Sequence, residues 1–242
     1  MPAPNTRPSL PTRVIEVPGG IQLMQGAVVL SELRFLPGPT HSVFDVLAAL
    51  LHRLGPPGRM GVLGFAAGGM VAPLRALGCT RRMEAVDLDA TGHDLFCRWC
   101  PEWAREVDWY LDDAARWLEH GPGRRGGFAV LLEDLSEPRD GDVHKPGVCR
   151  EHLPRLIRRR LARGGIAVFN LVPDADGSWP AVAEVRRLFP AVAEVRYSGY
   201  LNRTWVAADS LPGPAMLGRW LQQDLRRMGS GLAGRTVVTM KR

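Results

Sequence analysis

The stretch from Arg59 to Pro138 constrains this chain most: short apolar segments alternate with helical ones, and three of the apolar segments are closed by aspartates. Residues 60–64, 83–88, 107–111 and 128–132 read as short strands, and 128–132 has the continuous apolar character of a parallel-sheet interior. Residues 70–77, 92–100 and 114–120 carry helical periodicity between them, with Pro101 ending the second helix. The alternation continues with a helix over 150–162, a fifth strand over 165–171, a helix over 181–189 and a strand pair at 193–200 and 204–208. Met216, Leu217, Trp220, Leu221, Leu225 and Met228 lie on one stripe of a last helix, and 236–240 supplies an edge strand. Strands and helices in this order predict an α/β fold, a doubly wound, mostly parallel Rossmann-like sheet.

The remainder of the chain is divided accordingly. Residues 1–13, proline-rich and without apolar periodicity, are expected to form a flexible leader and lack the apolar core of a secretory signal. Residues 14–40, around Gly19-Gly20, are expected to be a small antiparallel hairpin element. A helix is predicted over 41–54, stopped at Gly55-Pro56-Pro57-Gly58, and 41–242 is taken as the single Rossmann-like domain. The 242 residues suit one well-buried core. No segment reads as membrane-spanning, and four cysteines without framework spacing point to free thiols and a cytoplasmic setting.

The formal charge of +6 is scattered. Its densest cluster, Arg155, Arg158, Arg159, Arg160 and Arg163, shares a helix with Leu153, Ile157 and Leu161, so it reads as a solvated face. Aromatic residues are not interleaved with it, and nucleic acid is therefore not the expected partner.

The chemistry-bearing positions sit at strand ends. Gly64 to Gly69 follow the first core strand and precede a helix, where missing β-carbons permit a tight turn and close approach of a nucleoside. Asp87 and Asp89 close the second strand about 20 residues on, the offset at which a carboxylate accepts ribose hydroxyls. Asp89 precedes Ala90-Thr91 and reads as a helix cap, which leaves Asp87 as the ribose ligand. Asp113 either caps the next helix, accepts from an adenine amine, or does both. Asp134 closes the fourth strand, at the edge where an open α/β sheet places its ligand crevice, with a solvated loop aspartate as the alternative.

In their order these motifs resemble the spermidine-synthase-like superfamily, which contains aminopropyltransferases and a branch of S-adenosylmethionine methyltransferases. The likeness runs from about Ile15 to Ser210. It comprises the glycine turn, Val86-Asp87-Leu88-Asp89, Asp113 before its helix and Asp134-Leu135-Ser136-Glu137-Pro138, which is similar to the family's DxSDP loop. Gly19-Gly20-Ile21-Gln22-Leu23 resembles the family's hairpin, whose glutamine approaches the nucleoside. The resemblance implies S-adenosylmethionine, or its decarboxylated form, as cofactor. It further implies binding residues at Gln22, Gly64, Gly68, Asp87, Asp113 and Ala114, and catalytic roles for Asp134 as proton acceptor and Glu137 as holder of a second donor.

Two departures favour methyl transfer over aminopropyl transfer. Ala67 stands where aminopropyltransferases place an acid within the glycine turn, and Val43-Phe44-Asp45 stands in place of the Tyr-His-Glu of the polyamine tunnel. A small-molecule or protein amine is the expected acceptor, and a homodimer is the expected assembly. A third reading is a binding domain without catalysis, since a fold does not fix a function. His93, Cys97 and Cys100 lie at helical spacing, but three ligands do not close a structural zinc site, and buried apolar thiols are the simpler reading.

Overall fold

The computed structural model describes residues 12–139, 142–174, 176–179 and 181–241. Three short strands come first: β1 (Thr12–Val17), β2 (Gly20–Gln25) and β3 (Val28–Arg34). They form a separate antiparallel sheet in the order β1-β2-β3, where a hairpin was expected. The additional strand arises because Gly26, at φ +60°, supports a second tight turn after Gln25. Thr12 and Arg13, assigned to the leader from sequence, belong to β1; the remainder of that leader lies outside the described residues.

Helix α1 (Val43–Leu54) begins two residues later than its periodicity predicts. His41 is left-handed at φ +59°, and the buried Asp45 carboxylate accepts from the backbone amides of Thr40 and His41 and from the Ser230 hydroxyl, which fixes the entry to the helix.

The core then alternates as expected: β4 (Arg59–Leu63), α2 (Val71–Ala76), β5 (Met83–Asp87), α3 (Thr91–Trp99), α4 (Pro101–Ala104), β6 (Val107–Leu111), α5 (Ala114–Glu119) and β7 (Phe128–Glu133). Pro101 starts the one-turn α4 as well as ending α3, because a proline at the first helical position loses no hydrogen bond. A small hairpin, β8 (Glu137–Arg139) and β9 (Asp142–His144), follows. The chain closes with α6 (His152–Arg160), β10 (Leu161–Leu171), α7 (Val182–Leu188), β11 (Ala191–Tyr197), β12 (Arg203–Ala208), α8 (Pro214–Met228) and β13 (Thr236–Lys241). Strand β10 starts four residues before the predicted 165, since Leu161 already pairs with Phe128 and the register shifts before Ile166.

The main sheet has the order β13-β11-β12-β10-β7-β4-β5-β6. The five strands from β10 to β6 are mutually parallel, whereas β12, β11 and β13 add antiparallel pairs. Side chains alternate through β10: Ile166 and Val168 join the face packed by Leu47, Leu74 and Leu225, while Ala167 and Phe169 join the face packed by Trp117, Ile157 and Val185. Burying both faces explains why all six residues of β7 are inaccessible. Strands β4, β5 and β6 are added towards one edge of the sheet and β7 and β10 towards the other, so the carboxyl ends of the parallel neighbours β4 and β7 frame the topological switch point. The arginines of α6 are tied down rather than gathered into one field: Arg155 meets Glu151 and Glu184, and Arg158 meets Asp209. Among the described residues no helix is long and apolar enough to cross a membrane.

Candidate active site

Two adjoining cavities lie at the switch point and share Leu30, Phe44, Asp134, Leu135 and Ser136 as walls. The first, about 430 Å³, is lined by the three strand-end carboxylates Asp87, Asp113 and Asp134, together with Gly64, Ala66, Gly92, Ala114 and Glu137. The carboxylates foreseen at three neighbouring strand tips therefore meet around one hollow.

The turn after β4 is shaped by close approaches. A β-carbon on Gly64 would lie 2.6 Å from the Asp134 carbonyl oxygen, and Gly64 adopts φ +87°. A β-carbon on Gly92, in α3, would lie 2.3 Å from the carbonyl carbon of Ala66. Asp87 Oδ2 accepts from the backbone amides of Phe65 (2.9 Å) and Ala66 (2.7 Å), so the expected ribose ligand also organises the turn. Ala66 is held at φ +46°, an unusual conformation for a residue with a β-carbon. Gly68, at φ +69°, packs on Phe65 and lines neither cavity, so its part is in the turn. Asp113 Oδ1 caps α5 by accepting from Arg116 N at 2.9 Å, which leaves Oδ2 for a ligand donor. Asp89 accepts from Thr91 N at 2.8 Å at the start of α3, as its cap reading required.

The second cavity, about 390 Å³, has walls from β2, β3, the start of α1 and the loops after β7, β10 and β11. Gln22, expected beside the nucleoside, lies here and donates to Glu32 Oε2 at 2.9 Å, whereas Gln25 lines the first cavity. Glu137, foreseen as a substrate contact, lines only the first cavity.

Asp134 borders both hollows. Its Oδ1 accepts from Asn170 Nδ2 at 2.6 Å, and Asn170 in turn accepts from Asn202 Nδ2 at 3.2 Å. Burial is the largest influence on this carboxyl and raises its pKa to about 6, assisted by Glu133 and Asp87 and opposed by Lys145 and Asn170. Lys145 was invisible as a site residue. It is 6 % exposed, and its Nζ donates to Glu133 Oε1 and to the Leu135 carbonyl, both at 2.7 Å. These acceptors flank Asp134 in sequence, so the ammonium braces the loop on either side of it. Burial works against the ammonium, but Glu133 and its neighbours outweigh that cost and raise the Lys145 pKa. Asn170 and Glu133 did carry a signal, being polar residues that interrupt otherwise apolar, buried strands.

Trp109 and Tyr110 line neither cavity; Trp109 stacks on His93 with ring centroids 4.3 Å apart. Cys97 Sγ lies 3.4 Å from His93 Nε2, while the Cys100 thiol donates to the Arg34 carbonyl. Among the described residues no cluster able to hold a metal ion is formed.

No family model matches the sequence, and no curated protein matches it. Solved structures do. Human methyltransferase-like protein 13, in complex with SAH, superposes with a TM-score of 0.57 at 20 % identity, over 77 % of this chain and 91 % of that one. Spermidine synthase from Thermotoga maritima superposes with a TM-score of 0.59 at 13 % identity, over 91 % of this chain and 76 % of that one. A spermidine synthase in complex with the transition-state analogue AdoDATO gives a TM-score of 0.58 at 11 % identity, over 91 % and 75 %. The chain therefore has the Rossmann-like methyltransferase fold that its motifs implied.

Proposed function

For a chain with the fold shared by methyltransferase-like protein 13 and the spermidine synthases, we propose S-adenosylmethionine-dependent transfer of a methyl group to an amine or similar nucleophile. The observation that carries this reading is the meeting of Asp87, Asp113 and Asp134 around one cavity beside the glycine turn. The residues fit such a cofactor. Gly64 lets the turn approach Asp134 and Gly92 lets α3 approach Ala66, Asp87 suits ribose hydroxyls and the free oxygen of Asp113 suits an adenine amine. Two of the known structures superposed on this chain hold SAH or AdoDATO, which favours the same class of ligand.

When bound, the cofactor supplies a carbon made electrophilic by a sulfonium; the chain's own residues do the rest. The walls of the second cavity hold the acceptor in line, and positioning contributes most of the rate. Asp134 orients the nucleophile and takes up its proton. A free alkylamine, with a pKa of about 10.4, must lose that proton before its nitrogen can attack. Asn170 and Lys145 fix the direction of the Asp134 carboxylate.

Methyl transfer is favoured over aminopropyl transfer by the missing polyamine contacts. Ala67 is buried in the glycine turn and offers no carboxylate, and Asp45, the one acid retained on α1, is consumed by Thr40, His41 and Ser230. Aminopropyl transfer from decarboxylated S-adenosylmethionine remains the second reading, because the superposition on spermidine synthase covers 91 % of this chain. Titration calorimetry with S-adenosylmethionine, its decarboxylated form and S-adenosylhomocysteine tests both. Tighter binding of the carboxylated pair is the expected result. Preference for the decarboxylated form favours the aminopropyl reading, and silence from all three leaves a domain without this chemistry.

A further inference from the structure

The charged side chains around the second cavity form nearly closed pairs. Among the described residues its lining contains three charged ones, Glu32, Asp134 and Lys145. Glu32, 5 % exposed, faces the Arg34 guanidinium at 2.6 Å and takes a hydrogen bond from Gln22. Lys145 is matched by Glu133 behind the wall. Among the described residues Asp134 makes no ion pair: the Lys145 ammonium, bonded to Glu133 and the Leu135 carbonyl, acts on it only through its field. Much of the remaining wall is apolar, supplied by Val29, Leu30, Val43, Phe44 and Leu201 among others.

A cavity with one uncompensated carboxylate and apolar sides has a definite preference. A second cationic centre entering it would lose its hydration and meet no counter-charge, while a neutral guest would leave Asp134 unpaired. We propose, building on the transferase reading above, that the acceptor is a singly charged alkylamine whose nitrogen sits at Asp134 and whose apolar body lies against β3 and the start of α1. This narrows the acceptor class and sets it apart from a polyamine. The same alkylammonium chemistry is offered by a free amine and by a lysine side chain.

Matched ligands with one six-carbon body separate the possibilities: hexylamine, 1-hexanol and 1,6-diaminohexane, titrated calorimetrically into the ligand-free protein and again after S-adenosylhomocysteine. Hexylamine is expected to bind at least tenfold more tightly than either of the others. Equal or tighter binding of the diamine overturns the proposal, as does equal binding of hexanol, or no amine binding in either form. Tighter binding of Nα-acetyl-lysine-methylamide than of hexylamine assigns the same chemistry to a protein lysine. The S-adenosylhomocysteine isotherm is read separately, so its absence sinks the cofactor reading while the ranking in ligand-free protein still judges the acceptor class.

Two variants sharpen the result. Asp134→Asn is expected to erase the preference for hexylamine over hexanol; a preference that survives contradicts the assignment. Val29→Glu adds a second carboxylate at a residue 42 % exposed, where the fold has room for it, and is expected to shift the ratio at least threefold towards the diamine. An unchanged ratio in a folded variant counts against the charge argument.

Discussion

At Asp134 two demands pull in opposite directions, and both can be measured. Burial holds its carboxyl at about pH 6, above an unfolded aspartate, so folding favours the protonated form. The stabilisation from that preference is complete below about pH 4 and is lost as pH rises through about 6. On the proposed reading Asp134 takes up a proton and must be ionised, so the rate is expected to rise through about pH 6 and level off above it. Asp134→Asn keeps the Asn170 contact and removes the charge. It should lower kcat by about 100-fold or more and yet raise stability at pH 8 by on the order of 1–3 kcal/mol, read from urea midpoints. A merely structural aspartate would not give that combination. Lys145→Met removes the cation facing Asp134, leaving Glu133, Asp87 and the buried Tyr197 around it. The acid limb of the pH profile should move upward, and the unpaired Glu133 should cost about 3–5 kcal/mol. The strand-end aspartates were legible because motif order and sheet rules locate them. Lys145 was not, since its role depends on a hairpin folding back on β7, and nothing local to Lys145-Pro146-Gly147 announces that contact.

Among the elements, the glycine turn and helices α3 and α5 are the ones that hold the nucleoside on the proposed reading. Gly92→Ala would drive its methyl into the backbone at Ala66, so the turn must shift or α3 must tilt. Affinity for S-adenosylhomocysteine should fall at least tenfold, with a stability loss of about 1–3 kcal/mol typical of overpacking; unchanged affinity by calorimetry would show that the turn does not hold the ligand. Asp113→Ala removes the cap of α5 and should cost about 0.5–2 kcal/mol in thermal unfolding, besides weakening the nucleoside. The strand types of β4 to β7 followed from the alternation of short apolar segments with helical ones, most directly at β7, whose six residues are all buried. Boundaries were less legible where one residue serves two purposes: Pro101 both stops α3 and starts α4, and Asp45 holds back the start of α1 through contacts that include Ser230, far along the chain. Gln22 illustrates the same limit. Its resemblance-based role sent it to the nucleoside, but its partner Glu32 on β3 keeps it in the neighbouring cavity.

For the molecule as a whole, one topological reversal organises the functional reading. The switch point lies between the paired strands β4 and β7, the ends of β5 and β6 supply Asp87 and Asp113, and β10 and the loop after β11 supply Asn170 and Asn202. The small N-terminal sheet walls both hollows, through Leu23 and Gln25 in one and Gln22 and Glu32 in the other. Its presence was legible in the Gly19-Gly20 turn, whereas its position over the cleft was not, since no local pattern encodes a contact with a distant sheet edge. The most direct measurement is a crystal structure of the protein soaked with S-adenosylhomocysteine. The predicted result is an adenosyl group between Asp87 and Asp113 with its sulfur turned towards Asp134 and the second cavity. Density for the ligand elsewhere on the molecule, or a sulfur facing away from Asp134, would contradict the account.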